Sequence, residues 1–521
     1  MDADGQDRRL STDRRTFVRT ALFSAGAAVC LPDASMAAAS TSSSSASGRR
    51  QPAAGPYGSI DGGTADASGL LLPEGFTARV VAVAGEPVGD TDYRWHVFPD
   101  GAATFDDGDG GWFYVCNSEV FAPEGAGGAS AVHFDADGEI VDAYRVLEGT
   151  TANCAGGPTP WGTWLSCEEH PGGLGQVWEV DPSGEKEGEA RPALGRWRHE
   201  AVAVDPDGEA LYLTEDDPSG ELYRFTPDAY PDLSAGRLEA AAVAGDGAVT
   251  WVVVADPSAA TGPTSGQVPG ATTFPGGEGI WYHDGTVIFT SKGDNRVHAL
   301  DVAGQSYSML WDGTSDAPLG GVDNVTVAAG SGDVFVAEDG GNLEVVLITP
   351  EGDVVPFARV VDPVHEVSEI TGPCFSPDGT RLYFSSQRGP SPRTVAEIGA
   401  DRGLVIDVPA PLGGMTWEVT GPFRGAPVAG PGSPATTIAG AAGGGDGDGD
   451  EEAEAGGSDD DGGGGAGGAA IIGGAVVALG AAGAGLWWLR SRSARPTSDG
   501  TETEARPASG PEGGDEPGDG S

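Results

Sequence analysis

Positive charge is what this chain has least of. Against 79 aspartates and glutamates stand 28 lysines and arginines, and the formal net charge is −51. Nucleic acid is thereby excluded as a partner, because binding it means neutralising phosphates with basic groups that the chain does not carry. So acidic a surface is strongly hydrated and repels itself unless counter-ions screen it, which points to a high-salt habitat. Some of the carboxylates can instead serve divalent cations. Cysteine is scarce too, with five in 521 residues. A body of this size does not depend on disulfide staples, so free or metal-bound thiols remain open. The seven histidines, His96, His133, His170, His199, His283, His298 and His365, show no close ligand spacing, which argues against a histidine zinc site. Helical periodicity is rare in the body of the chain.

The two ends read as targeting and anchoring segments. Residues 1–39 match a twin-arginine export signal: Arg14 and Arg15 in DRRTFV precede a moderately apolar run at 21–31 and small residues up to Ala39. A serine-rich linker covers 40–55, the body 56–425, and a Gly/Asp-rich stalk 426–468. Residues 469–489 are uncharged and, at about 20 residues, span a bilayer as a helix. Trp487 and Trp488 at its end, with Arg490, Arg492 and Arg495 just beyond, put the short 490–521 tail inside and the body outside. The expected partners are therefore the twin-arginine translocase during export and the cell membrane through the C-terminal anchor, with the body on the extracellular face.

Chemistry concentrates in residues 153–170, NCAGGPTPWGTWLSCEEH, which put two thiols, an amide, two adjacent carboxylates and an imidazole on one loop-strand-loop unit. Thiolate favours iron or zinc and carboxylate favours calcium or magnesium, so the mixture suits a mixed metal site; a buried structural cysteine beside a solvated acidic turn is the plainer alternative. A short pattern also recurs through the body: an Asp/Gly turn, an alternating apolar strand, a polar or acidic ending. The copies are DGGWFYVCNSE, TPWGTWLSCEE, DGEALYLTEDD, DGTVIFTSKGD, SGDVFVAEDGG and DGTRLYFSSQRG. Most successive copies lie about 50 residues apart, the period of propeller blades. An all-β chain folded as a β-propeller of six blades with insertions is the expected architecture. Acidic strand ends would then converge at a central channel: Glu119, Glu168 with Glu169, Glu200, Glu215 with Asp216, Glu278, Asp294, Asp323, Glu338 with Asp339, and Glu369. Carboxylates so crowded repel unless protonated or bridged by cations.

Landmarks in consistent order along the body carry a family resemblance: LLLPEGF from Leu70, CNSE from Cys116, CAGGPTPWGTWLSCEE from Cys154, HEAVAVDP from His199, LYLTED from Leu211, GEGIWY from Gly277, VDNVTV from Val322, VAEDGGN from Val336 and GPCFSPDGTRLYFSSQRG from Gly372. The body resembles the PhoX-type family of exported, calcium- and iron-dependent alkaline phosphatases, in a shorter branch. The resemblance implies a propeller channel holding ferric iron and calcium that hydrolyses small phosphate monoesters. By motif match Cys154 is the thiolate on iron with Glu200 and Glu278 as carboxylate ligands, while Glu119, Glu169, Asp323 and Glu338 match acidic positions assigned to calcium. His199 is then a partner beside Glu200 rather than a ligand.

One departure bears on activity. The family motif places an arginine, suited to gripping phosphate, two residues before the glutamate of GEGIWY, and here that position is Gly276. Arg196, Arg198, Lys292, Arg296 and Arg388 are candidate replacements, and Lys292 in SKGDNR is the first choice as the catalytic cation. The second motif also reads Asn117-Ser118-Glu119 where longer members carry Asn-His-Glu. A calcium-dependent lactonase or other ester hydrolase, and a non-catalytic calcium-stabilised surface propeller, are the alternatives to a phosphatase.

Overall fold

The described residues form six antiparallel sheets. The computed structural model describes residues 54–121, 124–313, 318–390 and 413–426. The expected export signal, the 40–53 part of the linker, nearly all of the stalk, the 469–489 run and the tail lie outside these residues. Among the described residues no helix is long and apolar enough to cross a membrane, and helix is confined to two single-turn 3-10 segments, Pro192–Leu194 and Pro363–His365.

The sheets are the blades of a six-bladed β-propeller, as the repeat predicts. Their innermost strands, in chain order, are Pro99–Asp106, Asn153–Pro158, His199–Asp205, Gly277–His283, Val322–Ala328 and Ile370–Phe375, and each packs on the next around a ring that closes between the sixth and the first. The recurring motif is not the innermost strand but the second one: Trp112–Ser118, Trp164–Glu168, Ala210–Glu215, Thr286–Ser291, Asp333–Glu338 and Arg381–Ser386. These second strands are covered on both faces: every residue of ALYLTE and of DVFVAE is buried. Such strands read as near-continuous apolar runs, whereas the outer strand of blade 4, Ser306–Asp312, is mostly exposed.

The ring is sealed by chain ends. Thr77–Val83 pairs antiparallel with Met415–Thr420, from Thr77 opposite Thr420 to Val83 opposite Met415, and so supplies the outer strand of blade 6. Leu70–Leu71 likewise adds to the outside of blade 5 by pairing with Val360 and Arg359. This satisfies edges that would otherwise stand open. Between blades 5 and 6, Phe76, Phe335, Phe357 and Phe423 form a cluster, mostly edge-to-face, with ring centroids 4.9–6.3 Å apart. Each fully buried ring contributes about 1.5–3 kcal/mol from area alone, so the cluster is a principal anchor of the seal.

Candidate metal centre

A one-residue bulge repeats in every blade. In five blades the first residue of the innermost strand pairs with the last residue of the second, and pairing resumes at the fourth with one extra residue on the innermost strand: Pro99 with Ser118 then Ala102 with Cys116, His199 with Glu215 then Val202 with Leu213, and so on. Blade 6 keeps one more pair before the same slip. A bulge re-aims side chains and is favoured beside functional sites. Here it governs the second residue of each innermost strand, the set Asp100, Cys154, Glu200, Glu278, Asp323 and Thr371. The residue just past each second strand forms a companion set: Glu119, Glu169, Asp216, Lys292, Asp339 and Gln387.

Beneath these residues the channel narrows to a floor. Gly101, Ala155, Ala201, Gly279, Asn324 and Gly372 come third in the innermost strands, and a Cβ on Gly279 would lie 2.6 Å from the Asn324 Cα. On Gly101 it would lie 2.4 Å from the Ala155 Cα. Side chains larger than hydrogen there would push neighbouring blades apart. The cavity left at this level is about 20 Å³, room for about one water.

The close strand approach brings the ring side chains into four overlapping groups whose ligand atoms lie within 4.8 Å of one another: Asp100, Glu119 and Cys154; Cys154, Glu169 and Glu200; Glu200, Glu278 and Asp323; Asp323, Asp339 and Glu369. All are buried. The Cys154 thiol donates to Glu200 Oε1 at 3.1 Å. Gln387 donates to Asp100 Oδ2 and Glu119 Oε2 at 2.5 and 2.8 Å. Three cations face these acids. Lys292 Nζ lies 2.9 Å from Glu278, 3.3 Å from Asp323 and 3.4 Å from Asp339. Arg388 pairs with Glu369 at 2.7 Å, and Arg198 with Glu169 and Asp216.

Three cations do not neutralise eight buried carboxylates. Burial, reinforced by neighbouring carboxylates, pushes Asp100 and Glu200 well above the usual carboxylate range, and burial does the same to Glu369 against the pull of Arg388. Glu278 also rises well above it because burial outweighs the opposing pull of Lys292. Asp323 rises to about 6 from burial, against Lys292. Burial and then Asp100 and Glu119 push the Cys154 thiol up as well, so in this arrangement it is protonated. Burial works to lower Lys292, but Glu278, Asp323 and Asp339 outweigh it and raise it, so Lys292 stays charged. Metal ions relieve such a site: they favour thiolate and carboxylate forms and satisfy lone pairs that protein donors leave over. Asp100 Oδ1 and Glu200 Oε2 are buried without a hydrogen-bond partner, which fits that role.

Of the residues expected from sequence, Cys154, Glu200, Glu278, Glu119, Glu169, Asp323 and Lys292 are all brought to the channel mouth. Glu338 is not. As the last residue of its strand it points into the blade, where its carboxylate accepts from the Gly320 and Glu344 N–H groups, and Asp339 turns to the channel in its stead. Glu168 and Glu215 behave as Glu338 does, holding the Thr151 and Gln176 N–H groups and the Tyr223 hydroxyl. The period-two alternation of a strand explains the offset: the terminal acid and its successor face opposite ways. Asp294 is occupied in a turn with Ser291 and Arg296. His199 stacks on Trp197 and contacts the Gly195 carbonyl inside the blade, and burial lowers its pKa to about 3. Arg196 bonds Gln176, and Arg296 lies out with Asp294 and Asp312. Asp100 and Gln387 escaped sequence reading. Their signal is positional: Asp100 is the second residue of an innermost strand, where the bulge falls, and Gln387 is the residue just past a repeat, whose N–H donates to the Glu369 carbonyl. Cys167 is buried between blades 2 and 3, and the four described cysteines are free thiols.

A family model described as alkaline phosphatase PhoX matches residues 117–306 and 289–389. Among solved structures, Pseudomonas fluorescens PhoX in complex with vanadate, a transition state analogue, aligns with a TM-score of 0.54 at 17% identity, covering 68% of this chain and 96% of that one. A gluconolactonase from Xanthomonas campestris aligns at 0.36 and 13% identity, covering 63% and 86%. No curated protein matches the chain.

Proposed function

This chain belongs to the PhoX alkaline phosphatase family, and from that premise we propose that it hydrolyses phosphate monoesters at a calcium- and iron-bearing centre in the propeller channel. The observation that carries the reading is the Cys154–Glu200 contact at 3.1 Å, inside overlapping groups of buried carboxylates that outnumber their three cations. Cys154, Glu200 and Glu278 are the residues that would hold iron. Glu119, Glu169 and Asp323, joined by Asp100, Asp339 and Glu369, would hold calcium. Bound there, such ions would neutralise phosphate oxygens and would supply an oxygen nucleophile, so no side-chain nucleophile would be needed.

The chain's own contribution is positional. Lys292 offers a fixed positive charge for a phosphoryl oxygen, taking over from the arginine that the family pattern puts at position 276. Its side chain is 33% exposed, so it can meet both substrate and cluster. Arg388 and Arg198 hold Glu369 and Glu169 in place on opposite sides of the mouth. The floor, with room for about one water, is too narrow for a substrate to pass. We further propose export through residues 1–39 and attachment through 469–489, with the propeller outside the cell.

The test is to express the body with its export signal, purify it at high salt, measure bound iron and calcium, and assay 4-nitrophenyl phosphate beside a lactone. Iron with chelator-sensitive phosphatase turnover is expected. Lactone turnover without iron would replace this reading with a calcium-dependent ester hydrolase.

A further inference from the structure

Outside the channel, blade 1 carries an open pocket of about 730 Å³ lined by Tyr93, Val97, Ser118, Arg145 and Glu148 with the Gly125–Gly127 backbone. Its position follows from the strand order. Val97 precedes the innermost strand, Ser118 ends the second, Gly127 begins the third and Glu148 lies near the end of the fourth. The pocket therefore runs outward over blade 1 on the face where the channel opens. Its inner wall is the backbone that carries the metal-centre acids: Ser118 adjoins Glu119, and Glu119 N–H donates to the Phe98 carbonyl, two residues before Asp100.

Arg145 is the unusual member. The guanidinium is locked by donation to the Leu147 carbonyl at 2.9 Å, the Gly127 carbonyl at 2.6 Å and Ser130 Oγ at 3.4 Å. Room for it comes from Gly128, whose φ of +137° suits glycine and whose added Cβ would lie 2.5 Å from Arg145 Nη2. Ser130 is itself fixed by the Tyr93 hydroxyl at 2.6 Å and His96 Nδ1 at 2.8 Å. Three hydrogen bonds leave two of the five guanidinium N–H groups. In a chain with 79 acidic side chains, Arg145 has no carboxylate partner among the described residues. A half-buried, pre-oriented guanidinium without a counter-ion, beside an open polar pocket, is built for an anion from outside. Hydroxyls and a rim carboxylate beside it suit a polyhydroxylated ligand.

We propose that this pocket binds the alcohol portion of the substrate, and that the preferred esters are sugar phosphates bearing a second anionic group, carboxylate or phosphate, which Arg145 holds. The proposal rests on the phosphatase reading for the cleaved phosphate, while Arg145 acts as a specificity determinant remote from the reacting atoms.

The experiment compares glucose 6-phosphate with 6-phosphogluconate, six-carbon esters that differ at the far end in a carboxylate, and adds fructose 1,6-bisphosphate as the second-phosphate arm. The wild type should favour at least one doubly anionic ester in kcat/KM. Arg145→Gln, which retains a hydrogen-bonding side chain, should lose that preference by about tenfold or more, the range for hydrogen bonds to a charged group, so that the doubly anionic esters fall further than glucose 6-phosphate. Equal losses on all three esters, or none, would overturn the proposal. Should the wild type hydrolyse none of them, the phosphatase reading fails separately. Calorimetric titration of 6-phosphogluconate and fructose 1,6-bisphosphate then decides the pocket alone: tighter binding to wild type than to Arg145→Gln for either upholds it, and equal affinities for both reject it.

Discussion

The backbone N–H of Lys292 donates to the carbonyl of Gly276 at 2.7 Å. The residue with the only ammonium in the cluster thus sits across one hydrogen bond from the position where the family pattern carries an arginine. Gly276 adopts φ +61°, and a Cβ there would lie 3.1 Å from the Gly293 nitrogen. The arginine has no easy way back into this backbone, and Lys292 is the proposed source of its charge.

Lys292→Ala should therefore reduce kcat on 4-nitrophenyl phosphate by about 10²–10³-fold, the scale for losing one transition-state contact, without loss of bound metal. Gly276→Arg should not raise activity, and should destabilise the fold by about 1–2 kcal/mol because a side chain is disfavoured in the left-handed region. Steady-state kinetics with metal analysis checks the first, and denaturant unfolding the second. Metal loss in Lys292→Ala would mean that the ammonium organises the carboxylates rather than the substrate.

Cys154→Ser should abolish iron binding while calcium is retained, since a neutral hydroxyl replaces a thiolate at the junction of two carboxylate groups. Elemental analysis of protein purified in parallel is the measurement. Iron retained at wild-type stoichiometry would remove Cys154 from the ligand set.

Asp339→Asn and Glu338→Gln are adjacent changes with opposite expected consequences. The first should weaken calcium binding at near-constant stability. The second replaces an acid that caps two backbone N–H groups inside the blade, and should lower stability by about 1 kcal/mol with calcium binding unchanged. Calcium titration and thermal melts distinguish them, and reversed outcomes would restore Glu338 as the ligand.

Metal-free protein should lose stability as pH rises. Burial raises Asp323 to about 6, Glu215 to about 7 and Glu338 to about 8. Unfolded, these groups titrate near 4, so between there and pH 8 the folded state binds more protons than the unfolded state, and stability falls with increasing pH. Calcium should flatten the slope by holding the channel acids ionised. Melting temperatures from pH 5.5 to 8.5 with and without chelator test this, and a chelated protein that gains stability over that range would contradict it.

The six-bladed architecture was legible because turn chemistry and alternating apolar residues recur at a blade-like interval. The same repeat was less informative about depth, since it marks second strands and the channel is lined by the strand before each copy. That is why Glu338 looked like a channel residue while Asp339 faces it, and why Asp100, in the turn-like string FPDG, drew no notice. Cys154, Glu200 and Glu278 were found by motif, but their convergence depends on the repeated bulge and on small residues in the channel floor. Neither leaves a mark in hydrophobic periodicity. Arg145 was invisible for a similar reason: a lone arginine on a strand says nothing until its neighbours prove not to be acids.

The pairing of Thr77–Val83 with Met415–Thr420 also sets an order of events. A ribosome must complete the sixth blade's third strand before the first-made strand of that blade has a partner, so the nascent chain carries an unpaired apolar edge throughout synthesis of the ring. A truncation that removes Met415–Thr420 should therefore leave an open-ended array prone to self-association rather than a smaller working domain.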